Sequence, residues 1–468
     1  MGLSTGLDIA TRALRAHQMA VDVTSHNIAN AATPGYSRQE VLLQALGNHA
    51  IGFRNGDQTL ANVGMGVDAA GIRRLRDVFI DFQIRQINAD VGRYTVNADT
   101  LEQVEIVFNE PSDSTLNRLL ANFWNAWRGV SNEPESTAAR ASLIETAGTL
   151  ASTLNRAEDQ LQTIRRDLNT KVGIAVNEVN QITSEIATLN QQIAQLQVTG
   201  NAAADLRDRR DLLLDRLSTL ADISYLEDAT GSVTVYLGNR ELVVRDTAMA
   251  LAATPNPGNS NFFDVTFVSD GQVAQIRSGE LYGLLDMRDT MIPAKLGQLN
   301  SLASTLITEV NNLHVSGFGL NGATGLNFFA GADASDIAVD PAIASSPASI
   351  AAASAAGSPG DGSRALQIAQ LQQALLMNSG TVTIDGFYQA MIAELGVNVR
   401  EAQGLRDNQK TLAEHLTGLR ESTAAVSLDE EMTNLVKHQR AYEAAARLVT
   451  VVDEMLDKLI NGTGAVGR

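Results

Sequence analysis

Both ends of the 468-residue chain carry apolar side chains at alternating steps of four and three, the spacing at which one helix packs along another. The amino-terminal stripe consists of Leu3, Leu7, Ala10, Leu14, His17, Val21, Thr24 and Ile28. The carboxyl-terminal stripe consists of Leu428, Met432, Leu435, Gln439, Tyr442, Ala446, Val449, Asp453, Leu456 and Ile460. We therefore predict two long terminal helices, each of which pairs with another helix.

A turn separates the first helix from the rest of the chain. Pro34 disfavours helical geometry at Thr33, and Pro34 followed by Gly35 suits the two central positions of a type II turn. Residues 38–46 are predicted to be extended. The first helix should therefore end before this turn.

A third stripe in the middle of the chain keeps the same spacing for four heptads, which predicts a long rod-like helix. It consists of Leu168, Val172, Ala175, Val179, Ile182, Ile186, Leu189, Ile193 and Leu196. Gly200 and Asn201 interrupt it, and a charged helix from Asp205 to Leu220 completes a predicted helical hairpin. Further helices are predicted at 76–108, 116–130, 279–315, 364–377, 386–396 and 398–425.

Two internal segments lack helical periodicity. Short alternating runs with turn dipeptides predict a small antiparallel sheet within residues 223–276. Residues 316–363 are rich in Gly, Ala, Ser and Pro, which predicts a loop region or a reduced second insertion. The predicted fold is mainly α: an elongated helical-bundle or coiled-coil body, formed by the amino- and carboxyl-terminal parts together, with a small antiparallel β insertion.

The predicted organisation has four parts. We expect the terminal coiled-coil part to be largely disordered in the monomer, because a helix pair built from small residues buries too little area to offset ordering costs of about 1–2 kcal/mol per residue. Folding and association of this part would then be one event. The parts are an assembly domain (1–32 with 430–468), a helical body (33–222 with 277–315 and 364–429), a β subdomain (223–276) and a loop-rich insertion (316–363).

The charge is acidic and unevenly distributed. The formal net charge is −18, which argues against nucleic acid or an anionic membrane surface as a partner. Residues 1–40 sum to 0 and residues 428–468 to −2, so about −16 lies between them. This distribution fits ends that pack against other subunits and a middle that faces water.

Nothing in the sequence predicts an active site. There is no cysteine, and the six histidines lack metal-ligand spacing. Residues Gly317 to Gly322 fit G-x-G-x-x-G, but they follow a helix rather than a strand, so we interpret them as a plain turn. Asp429, Glu430 and Glu431 stand at a helix start, where they favour the positive end of its dipole. We therefore expect no enzyme activity, no cofactor and no metal. The amphipathic amino terminus resembles neither a Sec-type signal peptide nor a membrane span.

The turn and the residues beside it resemble a known signature. The run from Asn27 to Gln39 is similar to the amino-terminal signature of flagellar rod, hook and hook-associated axial proteins, and Tyr-Ser-Arg-Gln after the turn resembles the FlgK family of hook-associated proteins. Val426 to Met432 and Lys437 to Tyr442 resemble the closing helix of the same family. The matching signature residues are Asn27, Asn30, Thr33, Pro34, Gly35, Tyr36, Ser37, Arg38 and Gln39.

The resemblance implies a structural role. Such proteins leave the cell through the flagellar type III apparatus and form a ring at the junction of hook and filament. The implied partners are other copies of the chain, the hook protein, a second junction protein of the FlgL type, the filament cap and an export chaperone at the carboxyl-terminal helix. A distal rod or hook subunit is the alternative, and a ligand-binding or enzymatic protein on a coiled-coil stalk is a more remote one.

Two signature residues allow two interpretations. Tyr and Arg are enriched in the hot spots of protein interfaces, so Tyr36 and Arg38 could contact neighbouring subunits. Tyr36 could equally cover its own turn. The sequence leaves both open.

Overall fold

The computed structural model describes residues 3–51, 61–108, 115–198 and 203–462. The chain forms two compact units. The terminal unit contains Met1–Asn88, Val179–Ala250 and Thr411–Arg468, and the central unit contains Ala89–Glu178 and Leu251–Lys410. The four parts predicted from the sequence follow other boundaries and stay a prediction.

Helices account for most of the described chain. They are α1 (Leu3–Asn30), α2 (Val78–Phe108), α3 (Leu116–Asn132), α4 (Thr137–Val198), α5 (Ala204–Leu220), α6 (Glu280–Asp286), α7 (Ile292–His314), α8 (Pro341–Ser345), α9 (Ser363–Gln370), α10 (Ile384–Ala424) and α11 (Leu428–Gly462). The strands are β1 (Gln39–Ala45), β2 (Asn48–Ile51), β3 (Ala61–Gly64), β4 (Val67–Arg74), β5 (Ile223–Glu227), β6 (Val233–Leu237), β7 (Arg240–Val244), β8 (Thr247–Ala248), β9 (Leu251–Asn256), β10 (Phe262–Phe267), β11 (Phe329–Ala330) and β12 (Ala338–Val339). The prediction of a mainly helical fold with small antiparallel β elements is confirmed.

The terminal helices α1 and α11 pack along each other. Small side chains allow the close approach: a Cβ atom added to Gly6 would lie 3.7 Å from a methyl group of Val452. On α11 the buried positions include Glu431, Ala445 and Val452, which are separated by multiples of seven residues. The fully buried residues of α1 are Ala10, Ala16, Ala20, Val23, Thr24 and Asn27.

The strand β1 follows the turn and pairs antiparallel with β4, from Gln39 opposite Arg74 to Ala45 opposite Val67. Both strands pack against α1. The extended segment predicted at 38–46 is confirmed, whereas its partner strand was not predicted. The helical body predicted over 33–222 therefore also contains strands.

The long helix α4 buries its predicted stripe. Leu168 to Ile193 are buried at every predicted position and Leu196 is partly buried, so this prediction is confirmed. Within the terminal unit, the Asn190 side chain on α4 donates to the backbone oxygens of Val233 and Arg245 and accepts from the Val233 backbone, at 2.8–3.0 Å. The residues of the predicted break at 200–201 lie outside the described residues.

The strands predicted within 223–276 are present, but they form two sheets rather than one. In the terminal unit β5, β6, β7 and β8 form an antiparallel sheet in that order. In the central unit β9 and β10 form a hairpin, and the backbone N–H of Phe263 donates to Asn169 of α4 at 2.7 Å. The alternation of the sequence cannot separate two sheets whose strands are adjacent in the chain.

The segment 316–363, predicted to be a loop region or a reduced second insertion, consists largely of turns and loops that pack within the central unit, and its status as an insertion stays a prediction. Phe328, Phe329, Ile343 and Ile350 are fully buried, and Gly319 packs so closely that an added Cβ atom would lie 2.6 Å from the Ala348 oxygen. Gly317 and Gly319 of the G-x-G-x-x-G run therefore allow close packing, whereas Gly322 has open space around it and adopts φ = +81° in a turn. In α10 one continuous helix replaces the two predicted at 386–396 and 398–425.

Candidate assembly site at the turn after the first helix

The turn itself has the predicted geometry. The backbone N–H of Tyr36 donates to the Thr33 oxygen at 3.2 Å, and Gly35 has φ = +77°. This is the left-handed conformation that the second central residue of a type II turn requires and that glycine adopts without strain. Thr33, Pro34 and Gly35 are exposed. The turn therefore stands at the surface while the residues that follow it go inside.

Asn27, one helical turn before the end of α1, uses its whole hydrogen-bonding capacity. Its Oδ1 accepts from the Tyr36 hydroxyl at 2.8 Å and from the Gln39 N–H at 3.0 Å. Its Nδ2 donates to the Gln39 oxygen at 2.9 Å and to Glu431 Oε2 at 2.8 Å. Both donors and both acceptors of the amide are satisfied. Asn27 thus fixes β1 and α11 to α1 at one point.

Tyr36 contacts its own chain. Its hydroxyl donates to Asn27 and lies 3.1 Å from His26 Nδ1, while the two rings meet edge to face at 5.6 Å. Burial, with the Asp205 carboxylate nearby, raises the pKa of the Tyr36 phenol, so the hydroxyl keeps its proton and remains a donor. Of the two interpretations of Tyr36, the cover over its own turn describes these contacts.

Arg38 also bonds within the chain. One guanidinium nitrogen lies 2.7 Å from Glu430 Oε2 and the other 2.8 Å from Glu431 Oε1. Glu431 is only 2 % exposed, so its charge is compensated by Arg38 and by the amide of Asn27. Glu430 and Glu431 were interpreted from the sequence as dipole partners at a helix start. The structure gives them a second role, which is to hold α11 to the turn.

Ser37, Arg38 and Gln39 connect further elements. The Ser37 N–H donates to Asp208 of α5 at 2.9 Å, and Gln39 Nε2 donates to Asp205 of α5 at 2.9 Å. The Arg38 backbone donates to the Ala424 oxygen at the end of α10 and accepts from the Leu75 N–H after β4. Three consecutive residues are therefore bonded to α1, α5, α10, α11 and the end of β4. We call this group of contacts the Asn27 cluster; its members are Asn27, Tyr36, Ser37, Arg38, Gln39, Glu430 and Glu431.

A network of buried ion pairs adjoins the Asn27 cluster, because Asp208 belongs to the network and also accepts from the Ser37 N–H. Asp211 of α5 lies 2.8 Å from Arg74, 3.3 Å from Arg76 and 3.2 Å from Arg85. Although burial acts to raise it, the pKa of the Asp211 carboxyl is lowered below its usual range by Arg76, Arg74 and Arg85. Four arginines and four aspartates balance in this network: Arg74, Arg76, Arg85, Arg420, Asp81, Asp208, Asp211 and Asp215.

The spacing of the aspartates in the sequence indicates one part of this network, the carboxylates of α5. Asp205, Asp208, Asp211 and Asp215 recur at steps of three and four, so they share one face of α5. A carboxylate stripe on a packed helix requires cationic partners. The partners lie on segments more than 100 residues away, and the sequence does not indicate which arginines they are.

The predicted assembly residues divide into two groups. On α1 four further residues are buried beside the predicted stripe, namely Ala16, Ala20, Val23 and Asn27. Within the stripe Leu7, Leu14, Val21 and Ile28 remain half-buried, Ala10 is buried, and the side chain of Leu3 lies outside the described part. On α11 Leu435, Ala446, Val449 and Leu456 are half-buried, while Leu428, Met432, Gln439, Tyr442 and Ile460 are exposed.

The exposed apolar side chains of α11 are numerous even though the helix is paired. Met432, Val436 and Met455 each keep 52 % of their surface exposed. Scattered apolar residues on a surface are ordinary, whereas a series along one helix indicates an interaction surface. The exposed large apolar residues of α11 are Leu428, Met432, Val436, Tyr442, Leu448, Val451, Met455, Leu459 and Ile460.

Two kinds of site are not found in the described part of the chain. No described helix is long and apolar enough to cross a membrane. Among residues 3–51, 61–108, 115–198 and 203–462 no group of three or more His, Asp or Glu side chains could hold a metal ion.

Comparison with known proteins gives matches along the chain. Residues 7–36 match the family model described as "Flagella basal body rod protein", and residues 421–462 match "Flagellar basal body rod FlgEFG protein C-terminal". These two stretches contain the turn and most of the terminal helix pair, which places the chain in the class of flagellar axial proteins. Residues 101–329 match "Flagellar hook-associated protein FlgK helical domain".

Relatives that match most of the chain specify the family within that class. Flagellar hook-associated protein 1 of Bacillus subtilis is 33 % identical over 501 residues, covering 99 % of both chains. The protein of the same name from Escherichia coli is 27 % identical and covers 70 % of this chain and 60 % of its own length. A structure titled as the flagellar hook junction protein FlgK from Burkholderia pseudomallei has a TM-score of 0.64 at 16 % identity, covering 74 % of this chain and 100 % of that one. The chain belongs to the family of flagellar hook-associated protein 1, FlgK, and is a structural component of the flagellum.

Proposed function

We propose that this chain is a subunit of the junction between hook and filament, that copies of it assemble into a ring through the α1–α11 pair, and that it catalyses no reaction. The observation that carries this proposal is the series of exposed apolar residues on α11. They remain uncovered after α11 has packed on α1, so a further partner is needed to remove them from water.

The exposed residues of α11 lie on two different flanks. Met432 and Val436 are four residues apart in its first half, and Val451 and Met455 are four residues apart in its second half. At 100° per residue the second pair is rotated away from the first by more than a right angle. One subunit would therefore offer contacts to two neighbours, as each subunit of a closed ring must.

The Asn27 cluster has a distinct role in this proposal. It sets the direction in which α1 and α11 leave the turn, because it bonds both helices to α5 and α10 at residues 37–39. A subunit that assembles through a two-helix element needs that element held at a fixed angle. Contacts of the exposed turn residues Thr33 and Pro34 with neighbouring copies are part of the same proposal.

We propose the partners and the export route by analogy with the family to which the chain belongs. We expect the hook protein on one side, a second junction protein of the FlgL type on the other, and the filament cap during assembly. The protein would be exported through the flagellar type III apparatus and located outside the cell. Since α11 exposes apolar side chains before assembly, it is the segment for which an export chaperone is most needed.

Deletion of the gene tests the function. We expect cells with hooks but without attached filaments, and flagellin released into the medium. Hookless cells would instead indicate a rod or hook subunit, and unaffected flagella would contradict both interpretations. A chain lacking residues 1–30 or 430–468 should remain soluble and folded but fail to restore filaments; restored filaments with either truncation would overturn assembly through the terminal helices.

A further inference from the structure

Two histidines face each other across the terminal helix pair. The rings of His17 on α1 and His438 on α11 lie 5.7 Å apart between centroids and are tilted by 36°. Both side chains are half-buried. The Nδ1 atom of each ring is buried and has no hydrogen-bond partner among the described residues. Such unpaired polar atoms inside a helix interface are a weakness of that interface.

We infer that this histidine pair makes the packing of α1 on α11 sensitive to acid, so that the two helices stay together while both imidazoles are neutral and separate when the imidazoles take up protons. Two imidazolium ions at this distance would repel each other within a partly desolvated interface. Histidine is also the side chain whose ordinary titration range lies just below neutral pH. The inference rests on the geometry of the pair and not on the proposed junction role.

The charged groups around the pair do not compensate such a charge. On α11 the cation Lys437, adjacent in sequence to His438, opposes protonation of both rings. Glu431 on α11 acts in the other direction, but its carboxylate is already bonded to Asn27 and Arg38.

The strands that pack against α1 carry charges that are paired elsewhere. On β1, Glu40 is held by Arg73 at 2.9 Å. On β4, Asp68 lies 3.8 Å from Arg12 of α1. The charged groups named on α1, α11, β1 and β4 thus include no carboxylate that is free to bind an imidazolium ion at His17 or His438.

The direction of the pH effect follows from the pKa values. Burial lowers the pKa of His17 and of His438 below the ordinary 6.5, with Lys437 adding to the effect at both and His17 acting on His438. The separated helices would titrate near 6.5 and would therefore bind protons before the paired helices do. The stability that the neutral histidines give to the pairing is complete above pH 6.5 and decreases as the pH falls below that value.

Hydrogen exchange of the full-length chain tests the inference. Protection factors, corrected for the intrinsic pH dependence of exchange, would be measured at pH 7.5 and 5.5 in peptides from α1, α11 and α4. We expect protection in α1 and α11 to fall by about tenfold per pH unit for each proton taken up, while α4 changes little. The double variant His17→Gln, His438→Gln should lose most of this pH dependence. The matched control is His415→Gln, at an exposed histidine of α10, which should behave as the unmodified chain.

Several results would overturn the inference. An unchanged loss of protection in the double variant would show that other groups cause it, and unprotected α1 and α11 already at pH 7.5 would show that the pair does not form in the free chain. If the double variant does not form the helix pair, the variant Lys437→Gln provides a second test, because it keeps both histidines and removes the neighbouring cation. We expect Lys437→Gln to lose less protection between pH 7.5 and 5.5 than the unmodified chain. A larger loss of protection would contradict the inference.

Discussion

The terminal helix pair and the aromatic core of the central unit use apolar residues in opposite ways. In the central unit Phe123, Trp124, Trp127, Phe328 and Phe329 are completely buried, with ring centroids 4.9–6.4 Å apart. In α11, by contrast, about half of the surface of Met432 and Met455 stays exposed. The first region is complete within one chain. In the proposed assembly, neighbouring subunits would cover the exposed residues of the second.

The histidines of the two regions also differ. In the central unit His314 is fully satisfied: its Nδ1 donates to the Leu326 oxygen at 2.7 Å and its Nε2 accepts from the Ala351 N–H at 2.9 Å. In the terminal pair the Nδ1 atoms of His17 and His438 have no such partners among the described residues. A fully bonded imidazole fixes one arrangement of its surroundings, whereas an unbonded pair tolerates separation.

The largest expected effect is in the aromatic core. Trp127→Ala removes a side chain that packs on Phe123, Phe328 and His314 and leaves a cavity. We expect the free energy of unfolding of the central unit to fall by about 3–5 kcal/mol. Urea titration followed by the fluorescence of the remaining Trp124 measures it. A loss below about 1 kcal/mol would mean that this core is not as closely packed as the structure has it.

The next effect is an acid response confined to the central unit. Burial lowers the pKa of His314 to about 4, so the unfolded chain binds a proton below pH 6.5 while the folded chain does not. Stability is therefore complete above pH 6.5 and falls as the pH approaches 4, by about 3 kcal/mol in total. Both tryptophans of the chain lie in this core, so their fluorescence in urea reports on it alone. In His314→Gln the slope between pH 6.5 and 4 should be smaller; an equal slope would assign it to other groups.

A smaller effect is expected where α1 and α11 meet the turn. The Asp side chain of Asn27→Asp cannot donate to the Gln39 oxygen and places a carboxylate against Glu431. We therefore expect the free energy that stabilises the packing of α1 on α11 to fall by about 1–3 kcal/mol. Thermal unfolding and hydrogen exchange in α1 measure the loss. Ser25→Asp adds the same charge at an exposed position nearby and serves as the control. Adding Glu431→Gln to Asn27→Asp should restore part of the stability, because the amide can donate to Asp; absence of rescue would contradict the proposed role of this hydrogen bond.

The smallest effect on stability tests the comparison most directly. Val451→Ser and Met455→Ser change exposed side chains, so the free energy of unfolding of the single chain should change by less than about 0.5 kcal/mol. Filament attachment in cells carrying either variant should nevertheless be reduced. Thr433→Ala, at an exposed polar position of the same helix, is the matched control. Normal attachment in both serine variants would show that this flank of α11 has no partner.

The sequence predicted the positions of the helices better than it predicted which face of each helix is buried. On α4 the repeat identified buried residues because that stripe holds most of the large apolar side chains of the segment, while many of the remaining positions are Gln, Asn or charged. On α11 the buried residues Glu431, Ala445 and Val452 each precede a predicted position by one, and on α1 the repeat includes only some of the buried residues. Both helices have more apolar residues than one partner covers, and α1 packs on β1 and β4 as well as on α11. A heptad pattern cannot show how such a surface is divided between the chain and its neighbours.

The candidate site was predicted in part for a related reason. The turn follows from local chemistry, since Pro34 and Gly35 specify it within four residues. The bonds of Asn27 and Arg38 to Glu431 could not be predicted from local chemistry, because an amide or a guanidinium group does not indicate which distant residue it will bind. The strands β1 and β4 are separated by residues 46–66, for which no further strand was predicted, so their pairing was not predicted either.

The hydrogen bond between Asn27 and Glu431 spans 404 residues of sequence. Because a chain is synthesised from its amino terminus, α1 and the turn exist long before α11 does. Closing so long a loop is entropically unfavourable, so we expect this contact to form late in folding. The helix pair joins residues that are very far apart in the sequence, whereas contacts within helices are local. The order of events is therefore built into the topology: this chain can present its paired ends only after its last helix has been made.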